Sequence, residues 1–113
     1  MSELPPPGTS LGRVDDLPDC TAREAVGHDG LVILSRRGDD VRAWVNACPH
    51  AGRSLSLPDG RVIIHEEKFL LCPVHGASFG MEDGRCVGGP AVGDRLRAIP
   101  VEIINGEILT VQA

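Results

Sequence analysis

Short apolar runs bounded by turn-forming residues recur along the chain. Leu31-Val32-Ile33-Leu34 follows His28-Asp29-Gly30, and Val41-Arg42-Ala43-Trp44-Val45 follows Arg37-Gly38-Asp39-Asp40, which together predict a hairpin. Val62-Ile63-Ile64 and Phe69-Leu70-Leu71 form a second apolar pair, separated by the polar stretch His65-Glu66-Glu67-Lys68. The sharpest local signal lies near the C-terminus. There Ile99 to Ile104 and Glu107 to Val111 flank Asn105-Gly106, a pair that favours positive φ at both turn positions. Only Thr21 to Val26 reads as helical, and it is short. The pattern predicts an all-β domain.

Length and composition add to this. With 113 residues the chain fits one domain, 1–113, and with one Trp, two Phe and no Tyr its core is modest. A cross-link, by metal or disulfide, would help such a domain hold together. Fourteen glycines and nine prolines fit many turns between short strands. The net charge of −5 argues against a nucleic-acid partner, whose phosphates would repel it. It suits docking on a basic protein surface, although solubility alone also accounts for it. No run approaches the ~20 apolar residues of a membrane span. MSELPPPGTS lacks the basic and apolar regions of a secretory signal, and its prolines suggest an extended arm over residues 1–10. The expected setting is therefore a reducing cytoplasm, where the four cysteines act as metal ligands or free thiols rather than disulfides.

Two segments stand apart from the strands. Cys48-Pro49-His50-Ala51-Gly52 directly follows one predicted strand, and Cys72-Pro73-Val74-His75-Gly76 follows another. Each offers one thiolate and one imidazole from a loop. Proline stiffens the loop by fixing φ, and glycine lets the backbone approach whatever sits between the two. Two Cys and two His could bind structural zinc, but zinc fingers commonly pair Cys with Cys and His with His. One residue of each kind per loop suits a binuclear cluster better, with both thiolates on one iron and both imidazoles on the other.

These loops resemble those of the Rieske family, whose pattern is C-x-H, a spacer, then C-x-x-H, and the resemblance runs from about Leu31 to Val111. It implies an antiparallel β-sandwich with a small cluster-binding subdomain made of two ligand loops and a proline loop. One [2Fe–2S] cluster would be bound by Cys48, His50, Cys72 and His75. The proline loop would be Gly88-Gly89-Pro90-Ala91, shielding the cluster from one side. One departure is the 21-residue gap from 51 to 71, several residues longer than the family's usual spacer. The excess is expected within Leu57 to Glu67, where Pro58-Asp59-Gly60 offers a turn.

The respiratory-complex branch of the family has an extra cysteine in each ligand loop, and the two form a disulfide. The matching positions here are Arg53 and Val74. That branch also places Ser and Tyr hydroxyls as donors to the cluster and cysteine sulfurs, where this chain has Ala77 and Phe79. The resemblance is therefore to the bacterial ferredoxins that carry electrons from a flavin reductase to the terminal oxygenase of ring-hydroxylating systems. Such a protein is a carrier rather than an enzyme, and His50 and His75 would form the tip that meets its partners. The small Rieske-like subunit of assimilatory nitrite reductase is the alternative role, and a structural zinc module is a more remote one. No dinucleotide fingerprint follows a strand, so a bound nicotinamide or flavin is not expected.

Among the remaining residues, Cys20 and Cys86 are expected as free thiols, His28 and His65 as solvated side chains, and Trp44 as core near the first loop. Without hydroxyl donors the reduced state is less stabilised, so the midpoint potential is expected near the low end of the Rieske range, about −150 mV. The midpoint should also fall with pH in the alkaline range, as the ligand imidazoles lose protons more readily beside the oxidised cluster. Protein-film voltammetry across that range tests both expectations; a midpoint well above zero, or a flat pH profile, would contradict them.

Overall fold

The computed structural model describes residues 5–49, 52–74, 76–89 and 92–112. Among these described residues there are eleven strands and one short 3-10 helix, and every strand pair is antiparallel. In chain order the strands are β1 (Ser10–Arg13), β2 (Thr21–Glu24), β3 (Val32–Arg37), β4 (Asp40–Val45), β5 (Arg61–His65) and β6 (Phe69–Leu71). There follow β7 (Ser78–Gly80), β8 (Cys86–Gly88), β9 (Ala98–Ile99), β10 (Val101–Ile104) and β11 (Glu107–Thr110). The 3-10 turn spans Val14–Asp16. The expected all-β architecture is what forms, and no helix among the described residues is long and apolar enough to cross a membrane.

The strands form two sheets. The smaller runs in the order β1-β11-β10, the larger β8-β7-β6-β5-β2-β3-β4-β9. All three predicted hairpins are present. β3 and β4 turn at Gly38-Asp39, with Gly38 at φ +63°. β5 and β6 pair from Ile63↔Leu71 to His65↔Phe69. Asn105 and Gly106, at φ +52° and +79°, join β10 to β11, as the Asn-Gly signal requires.

Two expectations fail for physical reasons. Thr21 to Val26 is not helical: Thr21–Glu24 is β2, hydrogen-bonded to β3 on one side and to β5 on the other. Ala, Arg and Glu are good helix formers, but backbone pairing on both edges outweighs that local preference. Nor is Ile99 to Ile104 one strand. Pro100, which has no N–H to donate, separates β9, paired with β4, from β10, paired with β11, so the chain changes sheets there.

The larger sheet curls. Trp44 on β4 and Phe79 on β7 share one buried cluster, although five inter-strand steps separate their strands. At ~4.8 Å per step a flat sheet would hold them about 24 Å apart. Curling instead brings Gly84, just before β8, so close to Trp44 that an added Cβ would sit 2.6 Å from its ring. The same cluster takes Ala22, Ile33, Val62 and Leu70 from the strands between. Trp44 Nε1–H donates to Ser35 Oγ at 3.1 Å, which satisfies the indole inside the core.

Alternation along β3 and β4 supplies a second core. Val32, Leu34, Ala43 and Val45 point away from Ile33 and Trp44, and pack with Leu11, Leu17, Ile99 and Ile108 under the smaller sheet. The N-terminal segment is tied to this sheet from Pro6 onward. The Thr110 hydroxyl donates to the Pro6 carbonyl at 2.7 Å and accepts from Thr9 N–H at 2.9 Å. His28 is half-buried, with Nε2 donating to the Ser10 carbonyl at 3.0 Å, whereas His65 is exposed.

The long spacer folds as two turns around β5. Leu57 to Gly60 closes with Gly60 N–H donating to Leu57 O at 2.8 Å, and Arg61 Nε meets Asp59 Oδ2 at 2.6 Å. Hydrogen bonds from Arg61 hold the Asp59 carboxyl below its ordinary pKa. Protonating it as pH falls through that lowered value removes the small stability it gives the turn. The second turn, Glu66 to Lys68, caps the β5–β6 hairpin.

The separation of the two cores makes a stability prediction. Ile108 is fully buried under the smaller sheet, so Ile108→Ala should cost about 2–5 kcal/mol in urea unfolding. The visible spectrum of the folded, cluster-loaded protein should be unchanged, because Cys48 and Cys72 pack in the other core.

Candidate metal centre

The first loop leaves β4 through Asn46 and Ala47. Cys48 N–H donates to the Arg53 carbonyl at 2.7 Å, and Gly52 N–H donates back to the Cys48 carbonyl at 2.7 Å. The second loop joins β6 to β7 and repeats this at the same offsets: Cys72 N–H to Ala77 O at 2.8 Å, and Gly76 N–H to Cys72 O at 2.9 Å. Gly52 and Gly76 sit at φ +68° and +73°, a left-handed conformation that costs any other residue steric strain. The two loops are therefore one six-residue device used twice, Cys48–Arg53 and Cys72–Ala77, each opening on Cys-Pro with Gly fifth. Only the histidine moves, from third place to fourth. The equal Cys-to-Gly spacing is in the sequence; the matched backbone closure adds Arg53 and Ala77 as the sixth residue of each loop.

Both cysteines point inward. Cys48 and Cys72 are 3% and 1% exposed and belong to one cluster with Leu55, Ala77, Phe79, Met81 and Leu96. The curled sheet thus brings together two of the four residues expected as ligands; His50 and His75 lie outside the described residues. Two thiolates in apolar surroundings would be costly without a cation to neutralise them. A metal between the loops fits this donor set. Its sulfurs are held from the buried side, while Pro49 and Pro73 restrict the chain directly after each thiol.

A third segment closes over the second loop. Gly89 has φ +86°, and a Cβ there would lie 2.8 Å from Ala77 Cα and 3.2 Å from Gly76 O. Only glycine allows so close an approach. The rest of the expected proline loop, Pro90 and Ala91, lies outside the described residues. The two positions that lack hydroxyls, Ala77 and Phe79, are fully buried, whereas Arg53 and Val74 are exposed. Cys86 is a buried free thiol in this same cluster, its Sγ donating to the Gly88 carbonyl at 3.1 Å. Cys20 is a half-buried free thiol in a loop.

A family model described as the Rieske [2Fe-2S] domain matches residues 9–104. The chain belongs to this family. It carries one Rieske-type [2Fe–2S] cluster, which the paired thiol loops fit. Three solved structures share the Rieske fold over most of its length. The ferredoxin of carbazole 1,9a-dioxygenase from Nocardioides aromaticivorans IC177 is 29% identical with a TM-score of 0.69, over 98% of this chain and 100% of that one. A complex of reduced oxygenase and oxidized ferredoxin in carbazole 1,9a-dioxygenase matches at 23% identity and TM-score 0.73, over 91% of each chain. A Sphingomonas yanoikuyae B1 ferredoxin matches at 21% identity and TM-score 0.73, over 94% of this chain and 99% of that one.

The approach of Gly89 to Ala77 predicts a selective defect. Gly89→Ala places a methyl against backbone and in a disfavoured φ, so the second loop or the third must shift. The expected result is an altered EPR line shape and faster bleaching of the cluster. Gly93→Ala, at a glycine that also has positive φ but open space around it, controls for backbone strain alone.

Proposed function

We propose that this chain is a low-potential Rieske ferredoxin that carries single electrons from a flavin-dependent reductase to a terminal oxygenase, without catalysing a reaction of its own. Cys48 and Cys72 would hold one iron, and His50 and His75 the other. The observation that carries this reading is the likeness to the Nocardioides ferredoxin, which spans nearly all of both chains with 29% identity. The pairing of a ferredoxin with an oxygenase in the second structure supports the choice of partner.

The bound cluster would supply one-electron redox chemistry. The protein's part is to hold the thiolates from the buried side, exclude water behind them, and set the potential. Leu55, Ala77, Phe79 and Leu96 provide the apolar wall. Because Ala77 and Phe79 bring no hydroxyl, they give the reduced state no extra hydrogen bond, which suits delivery to an oxygenase. The net charge of −5 would favour encounter with a basic docking face at low salt. A cytoplasmic setting would keep Cys20 and Cys86 as thiols.

Two measurements test the proposal. Stopped-flow mixing of the reduced protein with an oxidised ring-hydroxylating oxygenase should show transfer that slows as salt rises; no transfer to any oxygenase, with stable co-purification in a nitrite reductase complex, would favour the subunit role instead. Separately, His75→Ala should abolish the visible chromophore and the rhombic EPR signal. An unchanged spectrum would overturn the ligand assignment.

A further inference from the structure

The two ligand loops are closed alike but anchored differently. Beneath the second, the ladder of β6 and β7 continues, with Leu71 opposite Ser78 and Leu70 opposite Phe79. Beneath the first there is no such ladder. β4 ends at Val45, and the chain that returns from Arg53 belongs to no strand. The positions that correspond to Leu70 and Phe79, two residues outside each loop, are Asn46 and Leu55. There a side chain replaces the ladder: Leu55 N–H donates to Asn46 Oδ1 at 2.8 Å.

Asn46 is 6% exposed, and it uses its other groups as well. Its backbone N–H donates to Leu31 O at 2.9 Å, and Nδ2 donates to Gly30 O at 2.8 Å and to Ser56 Oγ at 2.9 Å. Ser56 Oγ–H in turn donates to Glu24 Oε2 at 2.5 Å. Every donor in this chain points one way, from the loop flank through Asn46 and Ser56 to a carboxylate, so each bond polarises the next. The carboxylate itself is seated between two glycines: a Cβ at Gly30 or Gly60 would come 3.4 or 3.7 Å from Glu24 Oε1. Glu24 N–H also donates to Gly60 O at 2.8 Å.

We infer that Asn46, fixed by Ser56 and Glu24, is a positioning residue that clamps the Cys48 loop shut and so sets the geometry and lifetime of the cluster. The inference rests on the proposed ligand set. It identifies Asn46 as a side-chain substitute for the strand pairing that steadies the Cys72 loop. Losing the clamp frees the flank of one ligand loop and leaves the other untouched.

The test uses the cluster-loaded protein and three variants. Asn46→Ala removes three side-chain hydrogen bonds, of which the one to Leu55 N–H holds the loop flank; losing that one should speed chelator-driven loss of visible absorbance by about tenfold, and should broaden or shift the EPR g-values. Ser35→Ala is the matched control. It deletes a buried hydrogen bond to Trp44 in the same core, so it should lower the melting temperature while leaving g-values and cluster loss near wild type. Ser56→Ala, which keeps the Asn46–Leu55 bond but cuts the link to Glu24, should give an intermediate loss rate; it carries the test if Asn46→Ala does not fold. Wild-type g-values and loss rate in both Asn46→Ala and Ser56→Ala would overturn the inference. So would equal acceleration in Ser35→Ala, which would make the effect one of general stability. A wild-type protein without a Rieske-type EPR signal would instead refute the ligand set on which it rests.

Discussion

The curl of the larger sheet is the constraint on which the meeting of Cys48 and Cys72 depends. Cys48 follows β4 and Cys72 follows β6, strands four steps apart in the sheet order, yet both thiols reach one apolar cluster. The contact between Trp44 and Gly84 marks how far the curl goes, since any larger residue at 84 would force the ring aside. Packing of this kind is unforgiving of added volume, so the curl is held by shape as much as by burial. The hydroxyl of Ser35 then lets the indole N–H be buried without penalty.

Two cores share the wall formed by β3 and β4, and this divides the labour of the fold. Ile33 and Trp44 face the cluster side, while Val32, Leu34, Ala43 and Val45 face the smaller sheet. Pro100 makes the division possible in the chain itself, ending one sheet's edge strand and releasing the next residues to the other sheet. The smaller sheet can thus be read as a buttress, and the loops that carry Cys48 and Cys72 as the part that it supports.

Much of this was legible in the residues. The hairpins announced themselves through Asn105-Gly106 and Gly38-Asp39, because tight turns need particular φ values that few residues tolerate. The Cys-Pro…His…Gly loops were legible for the same reason, as each residue type serves a distinct local need. What stayed hidden depends on partners remote in sequence. Thr21–Glu24 became a strand because β3 and β5 flank it. β7 and β8 are three-residue strands whose apolar content, Phe79 and Val87 with Cys86, is too slight to signal alone. Nothing in the residue pattern marks Asn46; its burial and four hydrogen bonds single it out. Gly89 was legible as part of the proline loop, but its need to be glycine lies in the backbone of Ala77, twelve residues away, packed against it.

The long spacer between the loops has a consequence for how such a chain can change. Its residues build a hairpin that ends on β6, directly before Cys72, with its turn at Glu66 to Lys68 on the far end. Residues inserted there in matched pairs would lengthen both strands together, by ~3.4 Å per pair, and move only the tip. The hairpin works as a telescope: sequence distance between the two thiols can grow while their distance in space stays fixed by the sheet. Length in this segment is therefore free to vary, and can shape a surface without disturbing the centre.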